Sequence, residues 1–335
     1  MAHMNFLCVC MSPALDATVM LPEWPTDGSI SKDVEEVENV GGKGINVARW
    51  LARRGAAVAC GGLLGEDNAV PFERAFASFG IVDRFVRVPG STRRNEMIVT
   101  PEGSFKINRK AFPNLTTRNL SFQITDLLSD VPTATGGGHS VTAEGLVVVI
   151  SGSLPKCCGS DFYARATREL RALGATVVLD ASGAPLREAV LNADAASAPH
   201  VIKPNADECE PLVGFVPKTP EGFRRATAML NEKVPYVIIS DGGTGCWFNG
   251  TFVAAPEVTV LDTTAAGDTL LAEWCYRTFA GQGQEAHDKK GFAIPANDMS
   301  LDAAKWAVAA GSAACTMPGG DPPTVAYVDK LRGSL

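Results

Sequence analysis

Two hydrophobic patterns alternate through the middle of the chain. The segments "GLVVVIS" (145–151), "ATVVLD" (175–180), "HVIKPN" (200–205) and "YVIIS" (236–240) are short, β-branched and apolar throughout. Strands covered on both faces read this way. Between them lie segments of helical period such as "DFYARATRELRALG" (161–174), which closes on a glycine suited to a C-cap. Strand–helix repetition of this kind predicts an α/β fold with a doubly wound, mostly parallel sheet, right-handed crossovers and flanking helices. The first third reads differently. There "ALDATVML" (14–21), "DRFVRV" (83–88) and "NEMIVT" (95–100) read as strands, and "GSFKIN" (103–108) as a hairpin partner after the Pro101-Glu102-Gly103 turn. Together these predict a small β-sheet lid over a cleft, contributed by about 12–38 and 84–112 of a single domain. The stretches 129–145 and 281–300 read as surface insertions.

The middle strands share a second property, the polarity of their carboxyl ends. These carry Ser151-Gly152-Ser153, Asp180 with Ser182, Lys203-Pro204-Asn205, and Ser240-Asp241-Gly242-Gly243. Any one strand end needs polar turn residues. Four in succession line a single cleft, because ligands of open α/β sheets bind outside the carboxyl ends of the strands.

Composition narrows the class. With 335 residues, 46% hydrophobic and 20% charged, the chain reads as a globular enzyme rather than a disordered segment. A net charge of −7 argues against a nucleic-acid binder, and no apolar run reaches the length that spans a membrane. The 9 cysteines form no C-x-x-C pair and the 4 histidines do not cluster, which argues against structural zinc. An odd number of thiols without a signal-peptide pattern predicts a reducing, cytoplasmic setting. The pattern is expected to begin at Met4, and the opening "MAHM" is left out of the fold reasoning as an expected remnant.

Two motifs carry chemistry. In "LDTTAAGDTL" (261–270) a glycine-containing turn opens a helix, exposing backbone N–H groups at its positive end. Such N–H groups suit the charge of a transferring phosphoryl group, and Asp268 in the first turn suits proton acceptance from a hydroxyl. The same pattern suits an ordinary helix start, capped by Thr263 or Thr264, with Asp268 complementing the dipole. In "NVGGKGINVARWLARRGAAV" (39–58), Gly41 and Gly42 allow close backbone approach of a sugar or phosphate, with Lys43 and Asn46 as polar anchors. The Walker A spacing is absent.

With these motifs in order the chain resembles the PfkB (ribokinase-like) family of carbohydrate kinases. "GGKGINVARWLARRG", "SGSLP" (151–155), "IKPNADE" (202–208), "SDGGTG" (240–245) and "DTTAAGD" (262–268) carry the resemblance across nearly the whole chain. "SPALD" (12–16) and "STRRN" (91–95) are similar to the sugar-phosphate branch, the 1-phosphofructokinases and tagatose-6-phosphate kinases. The resemblance implies a ribokinase-like fold and ATP with Mg²⁺ as cofactors. It implies Asp268 as catalytic base, with Ala265, Ala266 and Gly267 forming the anion hole. Asp16, Gly42, Lys43, Asn46, Asn95 and Ser151 would contact a sugar-phosphate substrate. Arg93 would hold the existing phosphate, helped by Arg94 or Lys43. Lys203, Asn205, Ser240, Gly242, Gly243, Gly245 and Thr264 would border the nucleotide, with the helix at 305–317. Asn205 and Glu208 would organise Mg²⁺ through water. A homodimer through the lid sheet is also implied.

Several positions depart from the family. Ala265 stands where glycine is common, Glu273 replaces a glycine a few residues later, "NRKA" (108–111) replaces N-E-P-G, and "LPKCCG" replaces L-P-P-G. Fructose 1-phosphate is the first expected acceptor, with tagatose 6-phosphate or fructose 6-phosphate next. The alternatives are a kinase of an unphosphorylated sugar or nucleoside, and an idle sugar-phosphate sensor.

Overall fold

A computed structural model describes residues 6–26, 28, 32, 34–112, 114–115, 122–128, 143, 145–280 and 298–335, with side chains from 301 onward in the last segment. The insertions expected at 129–145 and 281–300 lie almost wholly outside the described residues.

Strand β1 (Phe6–Cys10) sits within a nine-stranded sheet. On one side of it the chain steps outward through β4 (Val58–Gly65) to β5 (Val82–Val88) at the edge. The chain then returns to the other flank of β1 and steps outward again. This second path runs through β8 (Val147–Ser151), β9 (Thr176–Asp180), β10 (Val201–Ile202) and β11 (Tyr236–Asp241). All seven are parallel, and β12 (Gly245–Phe248) and β13 (Thr251–Ala254) finish the edge as an antiparallel hairpin. Winding reverses between β1 and β8, and such a reversal opens a crevice at the carboxyl ends.

Both faces of this sheet are covered, which is why its strands are apolar without alternation. Phe6, Cys8 and Cys10 of β1 enter one core, and Leu7, Val9 and Met11 enter the other. The first core is closed by α1 (Lys43–Arg53), α2 (Val70–Phe79), α7 (Ala266–Cys275), α8 (Asp298–Ala314) and α9 (Val325–Arg332). The second is closed by α3 (Phe162–Ala172), α4 (Gly183–Leu191), α5 (Glu210–Val213) and α6 (Pro220–Asn231). All nine cysteines are free thiols, most of them buried as small core residues. Among the described residues no helix is long and apolar enough to cross a membrane.

A separate four-stranded sheet runs in the order β3 (Glu35–Gly41), β2 (Ala14–Met20), β6 (Arg94–Thr100), β7 (Gly103–Ile107). One strand assigned to it from sequence belongs elsewhere. Residues 83–88 pair parallel with β4 at the edge of the large sheet. An edge strand is half exposed, with only Phe85 and Val88 buried here, so its mixed polar and apolar sequence does not say which sheet it joins.

Candidate active site

Two helices begin at the crevice. At α1, Gly42 has φ 112, a left-handed conformation that favours glycine, and no side chain caps the helix. A Cβ on Gly41 would lie 1.9 Å from Asp16 Oδ2, so glycine there admits the Asp16 carboxylate. Asp16 Oδ1 accepts from Asn95 Nδ2 at 2.8 Å, and Asn95 Oδ1 accepts from the Arg109 N–H at 3.0 Å. The Asp16 carboxylate is thereby fixed at the mouth of α1.

At α7 the residue before the helix is Ala265, with φ 63. A left-handed non-glycine residue is strained by about 1 kcal/mol, and such strain gathers at functional turns. Neither threonine caps the helix. Thr264 instead donates its N–H to Asp262 Oδ1 at 2.8 Å and accepts at Oγ1 from Lys106 Nζ, of β7, at 3.3 Å. The Ala266 N–H turns back to the Thr263 carbonyl at 3.3 Å, and with no side-chain cap the following first-turn N–H groups can meet an external anion.

Between the two helix starts lies a buried cluster of charge. Asp268 is 5% exposed, and its Oδ2 accepts from Asn46 Nδ2 at 2.8 Å. Asp180, at the end of β9 and 0% exposed, holds two ammonium groups on one oxygen: Lys43 Nζ at 3.2 Å and Lys203 Nζ at 3.4 Å. Lys203 Nζ also lies 3.4 Å from the place where a Cβ on Gly267 would sit. A buried cation thus stands beside the N–H groups of α7. Gly311 lets α8 pack close behind this turn, since a Cβ there would come within 3.2 Å of the Ala266 carbonyl.

Burial dominates the protonation of Asp268. It pushes the carboxyl up to about 6, with Asp180 adding to the rise, while Lys43, Lys203 and the Asn46 hydrogen bond oppose it. Burial works to lower the pKa of Lys43, but Asp180, Asp268 and Glu208 outweigh it and hold the ammonium protonated. Asp268 is therefore mostly ionised at neutral pH yet basic enough to accept a proton. Asp180 Oδ2 and Ser151 Oγ are buried and take no partner among the described residues, and the two residues are register neighbours. Sequence reasoning placed both at polar strand ends lining the cleft but gave a substrate role to Ser151 alone.

The two arginines of "STRRN" differ. Arg93 donates from Nε to the Pro13 carbonyl (3.3 Å), from one terminal nitrogen to Arg109 (3.0 Å) and from the other to Ser12 (3.1 Å). No carboxylate pairs with it among the described residues, so its charge stays available. Arg94 bonds Glu36, Glu38 at 2.9 Å and Glu96 at 2.8 Å; the bonds to Glu36 and Glu38 raise its pKa. It is saturated with acids and is not arranged as a helper to Arg93.

On the far side of the cleft, Asn205 and Glu208 form a reciprocal cap. Glu208 N–H donates to Asn205 Oδ1 at 2.8 Å, and Asn205 N–H donates to Glu208 Oε2 at 2.9 Å. The second Glu208 oxygen is left over, a hard donor fit for a magnesium ion. Among the described residues no three acidic, histidine or cysteine side chains converge as a cage. That donor set suits Mg²⁺, which keeps several waters and takes one or two carboxylates plus phosphates. Asn205 bridges Ser240 of β11, which leads into the exposed Gly242–Gly243 turn. At Gly245 a Cβ would lie 2.2 Å from the Val253 carbonyl. The structure thus brings the α1 start, the α7 start and the four strand ends to one cleft, bordered by the small sheet.

Known proteins resemble this chain in sequence and fold. The pattern of the pfkB family carbohydrate kinases matches residues 11–325. A 1-phosphofructokinase of Rhodobacter capsulatus is 33% identical over 278 residues, 79% of this chain and 80% of that protein. Escherichia coli phosphofructokinase-2, solved with fructose-6-phosphate, superposes with a TM-score of 0.78 at 20% identity, over 100% of this chain and 99% of that one. Giardia lamblia ribokinase superposes with a TM-score of 0.69 at 15% identity, over 99% of each chain. Kinases of this kind typically use ATP. The chain belongs to the PfkB family of carbohydrate kinases, on a ribokinase-like fold.

Proposed function

We propose that this kinase transfers the γ-phosphoryl group of ATP to a hydroxyl of a sugar phosphate, with fructose 1-phosphate as the preferred acceptor. The observation that carries the reading is the buried Asp268 carboxylate at the uncapped start of α7, flanked by two ammonium groups. Asp268 takes the proton of the attacking hydroxyl as the new O–P bond forms. The N–H groups around Ala265 to Gly267, with Lys203 beside them, stabilise charge on the transferring phosphoryl oxygens. Lys43 and Asn46 orient the acceptor against Asp268, and Asp16 holds sugar hydroxyls at the mouth of α1. Bound Mg·ATP would supply the phosphoryl group and part of its charge neutralisation, and Asn205 and Glu208 would hold the metal. Ser240 to Gly245 would border the nucleotide.

Arg93 carries the refinement to a phosphorylated acceptor, because an unneutralised guanidinium beside the sugar pocket suits a phosphate. The 1-phosphofructokinase names of the relatives point the same way. Its three carbonyl ties favour a second reading, in which Arg93 only braces the pocket and the acceptor is an unphosphorylated sugar. A homodimer through the four-stranded sheet completes the proposal. ADP release with Mg·ATP over a panel of free and phosphorylated sugars separates the readings. Preference for sugar phosphates, with KM raised by Arg93→Ala, supports the first. Preference for free sugars, indifferent to Arg93→Ala, supports the second.

A further inference from the structure

A second polar contact joins α1 and α7 below the cleft. One turn beyond Asn46 on α1 stands Trp50, and five residues beyond Asp268 on α7 stands Glu273. Both are fully buried, and Trp50 Nε1 donates to Glu273 Oε2 at 2.8 Å. The helices therefore run side by side in the same direction, with two hydrogen-bonded rungs: Asn46 to Asp268 above, Trp50 to Glu273 below. Glu273 is held in turn by Arg277 Nε at 2.9 Å and by Arg54 Nε at 3.2 Å. Arg277 lies over the Trp306 ring of α8, 3.7 Å from its centroid, and Arg54 stacks on Tyr276. Glu273 is also the residue noted in the sequence as standing where the family commonly has glycine.

Apolar packing alone lets neighbouring helices slide by fractions of an ångström, whereas a buried, fully satisfied polar contact fixes one register. We propose that Trp50 and Glu273 are positioning residues, fixing the register of α1 against α7 so that the Asn46 amide sits on the Asp268 carboxylate. The inference rests on the reading of Asp268 as the base. Three charged groups face Asp268 from the surrounding elements: Lys43 of α1, Asp180 of β9 and Lys203 after β10. None belongs to the lower rung, but Lys43 rides on α1 with Asn46, so loosening that rung acts on Asp268 through these two groups, both of which hold its pKa down. The Asn46 hydrogen bond holds the Asp268 pKa down, so a displaced amide raises it.

The test is the pH profile of kcat/KM for the full chain, with melting temperature recorded for each variant. Trp50→Phe alters no charge and removes the donor. It is expected to move the acid limb upward by about half a pH unit, with turnover lowered several-fold. Glu273→Gln keeps an oxygen for Trp50 and is expected to leave the limb without an upward shift. Glu273→Met removes both charge and acceptor. Losing a negative charge alone would lower the limb, so an upward shift in this variant again reports register. Limbs that stay in place or move down in Trp50→Phe and Glu273→Met, in whichever of them folds, overturn the proposal. Asp268→Asn is run beside them. If it keeps wild-type turnover, the base assignment fails; if it is inactive while the limbs stay fixed, only the positioning role fails.

Discussion

Two clusters of charge flank the cleft and are built on opposite rules. Around Asp268 the charges are few, buried apart from the half-exposed Lys43, and incompletely satisfied: Asp180 holds two lysines on one oxygen and leaves the other bare. On the small sheet, Arg94 and Arg109 meet Glu36, Glu38 and Glu96 in a half-exposed network where each arginine has an acid. Burial makes the first set responsive, since Lys43, Asp180 and Lys203 all act on the protonation of Asp268. Solvent screening makes the second set nearly inert. Arg93, one residue from Arg94, follows neither rule: its described contacts are backbone carbonyls.

The largest expected effect tests the buried cluster. Asp268→Asn should lower kcat by roughly a hundredfold to ten-thousandfold, the range of a lost general base. Arg93→Ala should raise KM for a phosphorylated acceptor roughly tenfold to a hundredfold with a smaller change in kcat. Equal losses with free and phosphorylated sugars would assign Arg93 to bracing alone.

A stability measurement sharpens the contrast. Asp268 carries a pKa raised from 3.8 to about 6, so the folded protein holds this proton to higher pH than the unfolded chain. Its contribution favours folding at low pH and is lost as pH rises through about 6. Asp268→Asn is therefore expected to be more stable than wild type near pH 8, on the order of 2 kcal/mol by denaturant titration. That advantage should vanish near pH 4, and its persistence there would contradict the burial account. The smallest effect is expected at Arg94→Met: under about 1 kcal/mol of stability, fading with salt, and no change in KM.

The parallel sheet was legible because strands buried on both faces announce themselves, and their polar ends pointed to the cleft. Strand β5 was not, because periodicity reports how many faces are covered and not which strand lies alongside. The site was legible as residue types: Asp268, Lys43, Asn46, Ser151 and Lys203 all reach the cleft. Their pairings were not, since Asn46 and Asp268 are 222 positions apart in sequence. Asp180 was placed at the cleft but given no role, because a single acid after an apolar strand looks like any turn residue. The cap between Asn205 and Glu208 likewise needs three-dimensional contacts to be told from a solvated helix start.

The central claim is that Asp268 is the base in phosphoryl transfer to a sugar phosphate. The direct measurement is ADP release with Mg·ATP and fructose 1-phosphate, for wild type and Asp268→Asn, between about pH 5 and about pH 8. Wild-type kcat/KM is expected to fall on the acid side with a midpoint near the Asp268 pKa of about 6, and the variant to show only residual, pH-flat turnover. Wild-type turnover in Asp268→Asn, with the same acid limb, would contradict it.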